Sequence, residues 1–184
     1  MLELSARGLR IRLTFGFFAV IGLTASLSGA VQSRLLTVLL CSVMHEAGHI
    51  TAMLAFGIPP ETVTFCAGGI ALPARELDCP RRKACIILAA GPAVNLASAA
   101  VSLLAGQTGS FAAASLALGL FNLMPFRSFD GGRIYACLRG REPSRPVQTA
   151  ALLPLVLFAA YAVIQGSIPL SLILASLFVL TDIK

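Results

Sequence analysis

The chain has 184 residues, of which 57% are hydrophobic and 12% are charged, and its formal net charge is +6. With a mean hydropathy of +0.88, this composition excludes an ordinary soluble domain and predicts a single integral membrane domain over residues 1–184. The positive charge does not indicate nucleic acid as a partner. The basic residues lie in short segments beside apolar stretches, where they orient a membrane protein.

Six apolar segments are candidates for membrane spans, because a spanning helix needs roughly 20 apolar residues. In chain order they are residues 11–31, 35–56, 84–105, 111–125, 149–164 and 168–180. The sequence therefore predicts an all-α polytopic membrane protein with about six transmembrane helices. The first segment is long enough to remain as an anchor, and no cleavable signal peptide is expected.

The distribution of basic residues favours an even number of spans. Of the 14 lysines and arginines, all except Arg34 fall on one side of the membrane in a six-span arrangement. The positive-inside rule then predicts that both termini are cytoplasmic, together with the two long loops at residues 57–83 and 126–148. An odd number of spans would remove this asymmetry.

The cysteines predict neither a disulfide framework nor a cysteine zinc site. Their number is odd, and no two of them form a C-x-x-C pair. We interpret them as ordinary small residues on the reducing side of a membrane: Cys41, Cys66, Cys79, Cys85 and Cys137.

The first long loop contains a segment that is not helical in character. Residues 62–66 are rich in β-branched and aromatic side chains, and Gly68 and Gly69 form a turn signal before the apolar residues 70–72. This pattern predicts a short β-hairpin beside the second span. Non-helical backbone at membrane depth needs protein or a wet cavity around it, and a plain cytoplasmic loop explains the composition equally well.

The two histidines of the chain are four residues apart, in the run H-E-A-G-H at residues 45–49. On a helix this spacing places His45 and His49 on one face, where one zinc ion can bind both imidazoles. Glu46 lies between them, where it can take a proton from a water molecule at the metal. Two buried core histidines are the alternative. The apolar surroundings favour the metal, because ionisable groups at membrane depth indicate a functional site.

A catalytic zinc usually has three protein ligands and an open position for water. The chain has no third histidine, so the third ligand has to be a carboxylate or a cysteine. Asp130, which follows the fourth apolar segment, is the best candidate, with an ordinary turn aspartate before two glycines as the alternative. Glu76 and Asp78 are rivals, but they lie among basic residues and are interpreted as solvated charges.

The sequence resembles the site-2 proteases, a family of intramembrane zinc metalloproteases. H-E-A-G-H at residues 45–49, together with N-x-x-P-x-x-x-x-D-G at residues 122–131, is similar to the paired signature of that family. A-G-P-A-V-N at residues 90–95 resembles a further element. The resemblance covers about residues 35–132, the catalytic core. Six spans, a Gly-Gly hairpin and an Asp-Gly-Gly ending are most similar to the sporulation branch, stage IV sporulation protein FB.

Two features depart from the family's pattern. Sporulation proteases of this type commonly carry a C-terminal nucleotide-sensing CBS domain, and none is expected after Lys184, which follows the last apolar segment directly. The polar stretch 57–83 is also far too short for a PDZ domain.

The resemblance implies hydrolysis of a peptide bond in or near a transmembrane segment of a membrane-tethered protein. His45, His49 and Asp130 would hold one zinc ion per chain, and Glu46 would move the proton from water to the leaving amine. The expected location is the bacterial cell membrane, with the active site opening to the cytoplasm. Implied partners are the lipid bilayer, a pro-sigma or anti-sigma factor cut in regulated intramembrane proteolysis, including sporulation, and regulatory membrane proteins.

The resemblance also implies residues that handle the substrate. The hairpin with Gly68 and Gly69 would offer an edge strand to an extended peptide. The amides of Asn122 and Asn95 would hold the substrate backbone or the oxyanion, with an interhelical hydrogen bond as the alternative for Asn95. Pro125 would break the fourth span, so that the following acid turns back to the metal. Gly-Pro in the third span is interpreted as a kink.

Two other classes of function use the same side chains. A membrane metal transporter would need further ligands along its pathway, and the chain has no other histidine and no additional carboxylate well inside a span. A non-catalytic membrane chaperone would usually have lost a ligand or the glutamate, whereas all of them are present here.

Overall fold

The computed structural model describes residues 2–6, 9–66, 69–71 and 79–164, and this part of the chain is mostly helical. The chain divides into two compact units, with the boundary between Phe121 and Asn122. The elements are, in order, β1 (Leu2–Ala6), β2 (Leu9–Leu13), α1 (Phe15–Ser26), α2 (Gly29–Ala55), β3 (Thr62–Cys66), β4 (Gly69–Ala71), α3 (Arg81–Leu104), α4 (Ser110–Asn122), α5 (Asp130–Arg139) and α6 (Arg145–Ile164).

Within the described residues, α2 and α3 are long and apolar enough to cross a membrane, whereas α1 and α4 are apolar but shorter. At 1.5 Å per residue, the 27 residues of α2 extend for about 40 Å. Large apolar side chains on both helices are exposed, among them Leu40 at 52% and Val101 at 67%, as expected for surfaces that face lipid. These features indicate a membrane protein. The count of six spans stays a prediction, and its last segment, residues 168–180, lies outside the described residues.

Helices α2 and α3 are packed closely against each other. A Cβ atom at Gly48 would lie 2.7 Å from the carbonyl oxygen of Ala90, so only a glycine allows this approach. The ammonium of Lys83 lies 5.5 Å from the ring centre of Phe56. The end of α2 and the start of α3 are therefore neighbours, and the two helices run antiparallel.

The four strands form one sheet in the order β1-β2-β3-β4. β1 is antiparallel to β2, β2 is parallel to β3, and β3 is antiparallel to β4 with Phe65 opposite Ile70. The hairpin predicted over residues 62–72 is present as β3 and β4, although Gly68 lies outside the described residues. β4 ends the strand order and contacts α2, so the sheet places an edge strand beside the helix that carries both histidines.

The predicted first span, residues 11–31, is wrong as a single helix. β2 continues to Leu13, α1 contains only 12 residues, and α2 begins at Gly29, whose φ of +64° favours glycine and allows the chain to turn. The segment L-R-I-R-L of β2 alternates strictly between apolar and basic residues, which is the two-residue period of a strand. A mean hydropathy over about 20 residues does not detect this alternation, so the strand is merged with the apolar helix that follows it.

The predicted loop at residues 126–148 is also incorrect, because it contains all of α5 and the beginning of α6. Helix α5 begins with an acid, Asp130, has a basic residue in its last turn, and ends before Gly140, whose φ is +68°. These are ordinary signals of the beginning and end of a helix. Helices α2, α3 and α4 agree with the predicted helical segments 35–56, 84–105 and 111–125.

Candidate metal centre

His45 and His49 are brought together on one face of α2. Both are buried, with exposed fractions of 5% and 6%. Their Nε2 atoms are 3.1 Å apart, and their ring planes are inclined at 83°. Two imidazole nitrogens that bind one tetrahedral zinc at 2.0–2.1 Å lie about 3.3 Å apart. The pair therefore has nearly the spacing of two ligands to the same ion.

One stripe of α3 meets both imidazoles. Ile87, Gly91 and Asn95 follow one another at intervals of four residues, so they share a face of the helix. Nδ1 of His49 lies 2.7 Å from the carbonyl oxygen of Ile87. A carbonyl only accepts hydrogen bonds, so Nδ1 carries the proton and Nε2 keeps the lone pair that a metal needs.

Gly91 provides the space that the two rings occupy. A Cβ atom at this position would overlap Nε2 of His49, and it would lie 2.7 Å from Cε1 of His49 and 2.9 Å from Nε2 of His45. From the sequence alone, Gly91-Pro92 is interpreted as a kink, and this role of Gly91 is not predicted. α3 remains helical through Pro92, and only the register of α3 against α2 shows that Gly91 faces the histidines.

Asn95 contacts His45 from the next turn of α3. It is fully buried, and its Nδ2 lies 3.4 Å from Nδ1 of His45. This contact is the interhelical interaction that the sequence offers as the alternative for Asn95. Its predicted contact with substrate stays a prediction.

Asp130 is the first residue of α5 and is 7% exposed. At the beginning of a helix, the peptide N–H groups and the helix dipole favour a carboxylate. Nη1 of Arg133, one turn further on, lies 3.9 Å from Oδ1 of Asp130. The buried carboxylate therefore has favourable electrostatic surroundings within its own helix.

The two glycines after Asp130 fix the position of α5 against the segment that precedes it. A Cβ atom at Gly131 would overlap the carbonyl of Leu123, and one at Gly132 would overlap the carbonyl of Phe126. The backbone thus doubles back on itself without room for a side chain. This packing explains why both residues after Asp130 are glycines. The sequence motif alone does not explain it.

His45 and His49 in the first unit and Asp130 in the second are buried side chains of the kinds that bind metal ions. Two imidazole nitrogens and one carboxylate oxygen are a donor set that zinc prefers. Glu46, next to His45 in α2, is half-buried.

The remaining candidates are at different places. Asn122 is the last residue of α4, and Pro125 follows it in the connection to α5, both half-buried. Gly69 is the first residue of β4. Gly68 and the rival ligands Glu76 and Asp78 lie outside the described residues.

The cysteines with described side chains form no disulfide with one another: Cys41, Cys79, Cys85 and Cys137. Sγ of the buried Cys41 lies 3.2 Å from Oγ of Ser115. This contact links α2 to α4 and leaves Cys41 with a packing role.

Comparisons with known proteins show what this chain is similar to. No protein-family model matches the chain. A predicted zinc metalloprotease of Synechocystis sp. is 35% identical over 104 residues, which cover 50% of this chain and 27% of that protein. The chain thus spans only about a quarter of the length of this curated relative. The site-2 protease from Methanocaldococcus jannaschii is 23% identical with a TM-score of 0.62, and the match covers 98% of this chain and 92% of that one. This chain has the fold of a site-2 protease.

The solved structure shows the fold, and zinc metalloprotease is the description of the Synechocystis protein. His45, His49 and Asp130 are donors that suit a bound metal, zinc. Neither relative singles out the sporulation branch.

Proposed function

We propose that this chain is an intramembrane zinc metalloprotease that hydrolyses a peptide bond in or near a transmembrane segment of a membrane-tethered protein. The observation that carries the proposal is the buried pair of His45 and His49, with Glu46 next to the first of them on a helix long enough to span a membrane. Asp130, buried at the start of α5, is the third ligand that we propose. Three ligands leave room in a tetrahedral site for water or substrate.

The residues fit one zinc ion per chain. The donors have the right chemistry, the Nε2 atoms of His45 and His49 have nearly the right spacing, and Gly91 leaves space that any other side chain would fill. Bound there, zinc would supply a Lewis acid that polarises the scissile carbonyl and lowers the pKa of a water molecule to about 7.

The protein's own residues would then position groups and move a proton. Glu46 accepts the proton of the attacking water and returns it to the leaving amine. The carbonyl of Ile87 holds Nδ1–H of His49 and so leaves the Nε2 lone pair available to bind a metal. Asp130 contributes a negative charge that partly balances the ion.

The depth of the site supports cleavage within a bilayer. His45 lies roughly 15 Å from the end of α2 at Ala55, counted at 1.5 Å per residue, and the apolar part of a bilayer is about 30 Å thick. The neighbouring start of α3 carries Arg81, Arg82 and Lys83, which mark this end as the headgroup side. We assign this side to the cytoplasm from the positive-inside rule.

The sheet suggests how a substrate would be held. Peptide bonds in a transmembrane helix are hydrogen-bonded and shielded, so the substrate has to unwind before hydrolysis. β4, at the end of the strand order and against α2, offers an edge to which an extended segment can add by β-augmentation. The amide of Asn122 is a further candidate for holding the substrate. The substrate class we propose is a pro-sigma or anti-sigma factor, including those of sporulation, under the control of regulatory membrane proteins.

The test is co-expression of the chain with a panel of tagged, membrane-tethered substrates, scored for a shortened product on a gel. Glu46→Gln is compared with wild type, because the glutamine keeps the size of the side chain and all metal ligands. Glu142→Gln is the matched control, since Glu142 is 65% exposed and pairs with Arg127 at 3.1 Å. We expect the product with wild type and Glu142→Gln, none with Glu46→Gln, and equal zinc content in all three.

Two results would contradict the proposal. Cleavage that persists with Glu46→Gln would show that Glu46 is not the proton acceptor. Zinc flux into vesicles that contain the purified chain, without a Glu46-dependent product, would instead identify a metal transporter.

A further inference from the structure

The two histidines differ in what holds the ring nitrogen that faces away from the metal position. Nδ1 of His49 meets a backbone carbonyl, that of Ile87, at 2.7 Å. This partner can only accept a hydrogen bond, so it fixes one tautomer of His49 whatever side chains surround it.

Nδ1 of His45 meets a side chain instead, the amide of Asn95. Nδ2 of Asn95 lies 3.4 Å away, and the residue is 0% exposed. Among the described residues, Oδ1 of Asn95 has no hydrogen-bond donor although it is buried. An amide carries a donor and an acceptor, and a half-turn about its Cβ–Cγ bond exchanges them in nearly the same space.

Among the proton arrangements that these distances allow, two differ in the role of Asn95. In the first, Nδ2–H of Asn95 donates to Nδ1 of His45, and Nε2–H of His45 donates to Nε2 of His49, 3.1 Å away. In the second, His45 carries its proton on Nδ1, donates it to Oδ1 of Asn95 after the half-turn, and presents its Nε2 lone pair to a metal. The two arrangements differ in which ring nitrogen of His45 carries the proton and in the orientation of the Asn95 amide.

We propose that Asn95 is a positioning residue that sets the tautomer of His45, and that its amide turns over when zinc binds. The inference rests on the proposed zinc site. Loss of the hydrogen-bond partner of a metal-binding histidine typically lowers metal affinity 10- to 100-fold. The amide of asparagine can form the hydrogen bond to Nδ1 of His45 in either arrangement. The carboxylate of aspartate only accepts hydrogen bonds, so it can form only the second. Leucine can form neither.

The chain has only two histidines, so ¹⁵N-histidine labelling gives a spectrum of four ring nitrogens. The experiment records these spectra for the 184-residue chain purified in detergent, first with zinc removed by a chelator and then with zinc added. Zinc affinity is measured by competition with a chelating dye. Wild type is compared with Asn95→Asp, Asn95→Leu and Ser115→Ala. Ser115 is the matched control because it is also 0% exposed but contacts Cys41 rather than a histidine.

We expect His45 to be protonated on Nε2 in metal-free wild type and on Nδ1 in metal-free Asn95→Asp. Zinc should move the wild-type proton to Nδ1. Asn95→Leu should bind zinc about 10- to 100-fold more weakly, whereas Asn95→Asp and Ser115→Ala should stay close to wild type. The same tautomer in metal-free wild type and Asn95→Asp, or wild-type zinc affinity in Asn95→Leu, would overturn the inference.

Failure of the zinc site itself would give a different result. A wild-type chain that takes up no zinc contradicts the proposed function, while the metal-free spectra of wild type and Asn95→Asp still decide the role of Asn95. If Asn95→Leu does not fold, the comparison of wild type with Asn95→Asp still tests whether Asn95 sets the tautomer of His45.

Discussion

The α2–α3 pair and the segment from Leu123 to Arg139 position their candidate metal ligands in different ways. In the helix pair, side chains and one backbone carbonyl meet at intervals of four residues across two antiparallel helices. In the segment before and within α5, backbone lies directly on backbone at Gly131 and Gly132. The first arrangement depends on the register of two helices, and the second on the absence of two side chains. Their tolerance of substitution should differ accordingly.

The substitution with the largest expected effect on activity is Asp130→Asn. The amide is neutral and a poorer zinc ligand than a carboxylate, so we expect cleavage below detection and weaker zinc binding in a protein that still folds. Gel-based cleavage and dye competition measure both. Full activity with full zinc content would show that Asp130 is not a zinc ligand. Only the two histidines would then remain assigned to the site.

Gly132→Ala should have the largest effect on stability. Its Cβ atom would overlap the carbonyl of Phe126, and backbone cannot move aside as a side chain can. We expect a loss of about 3 kcal/mol in the free energy of unfolding, the upper end for overpacking, measured by denaturation in detergent. Gly109→Ala, with nothing within 4 Å of the added atom, is the control. Equal stability of the two variants would show that the turn is looser than described.

Gly91→Ala should separate stability from metal binding. Alanine is favoured over glycine in a helix by about 1 kcal/mol, so α3 should persist. The added Cβ atom meets His45 and His49, and we expect zinc affinity to fall at least 10-fold, the size of effect seen when the surroundings of ligands change. Gly22→Ala in α1, with open space around it, should bind zinc as wild type does. Unchanged affinity in Gly91→Ala would contradict the close approach of α3.

The smallest effect is expected for Arg133→Ala. The distance of 3.9 Å to Asp130 and the 30% exposure of the arginine side chain make this a weak ion pair, worth less than about 1 kcal/mol. Unfolding and zinc affinity should both change little. A large loss of zinc affinity would instead mean that Arg133 holds the carboxylate in its binding position.

The sequence predicted those features that depend on a local period. Spacing alone placed His45 and His49 on one face of α2, and the apolar segments located α2, α3 and α4. The same method could have found β2, because Leu9 to Leu13 alternates strictly, but a search for 20-residue apolar stretches merged it with α1.

Gly91 and the contact between Asn95 and His45 could not be predicted in this way. Both depend on which residues of α3 face α2, and this register is a property of the packed pair. A glycine within a helix or a buried asparagine has several ordinary explanations until its neighbour is known. The overlap at Gly132 is likewise visible only once the path of the chain before α5 is described.

The most direct test of the account is zinc K-edge EXAFS on the purified, cleavage-competent protein together with its zinc content. The account predicts one zinc per chain, surrounded by nitrogen and oxygen at about 2.0–2.2 Å with two imidazoles among the ligands. A sulfur shell at about 2.3 Å, which would indicate cysteine ligands, or active protein without zinc, would contradict it.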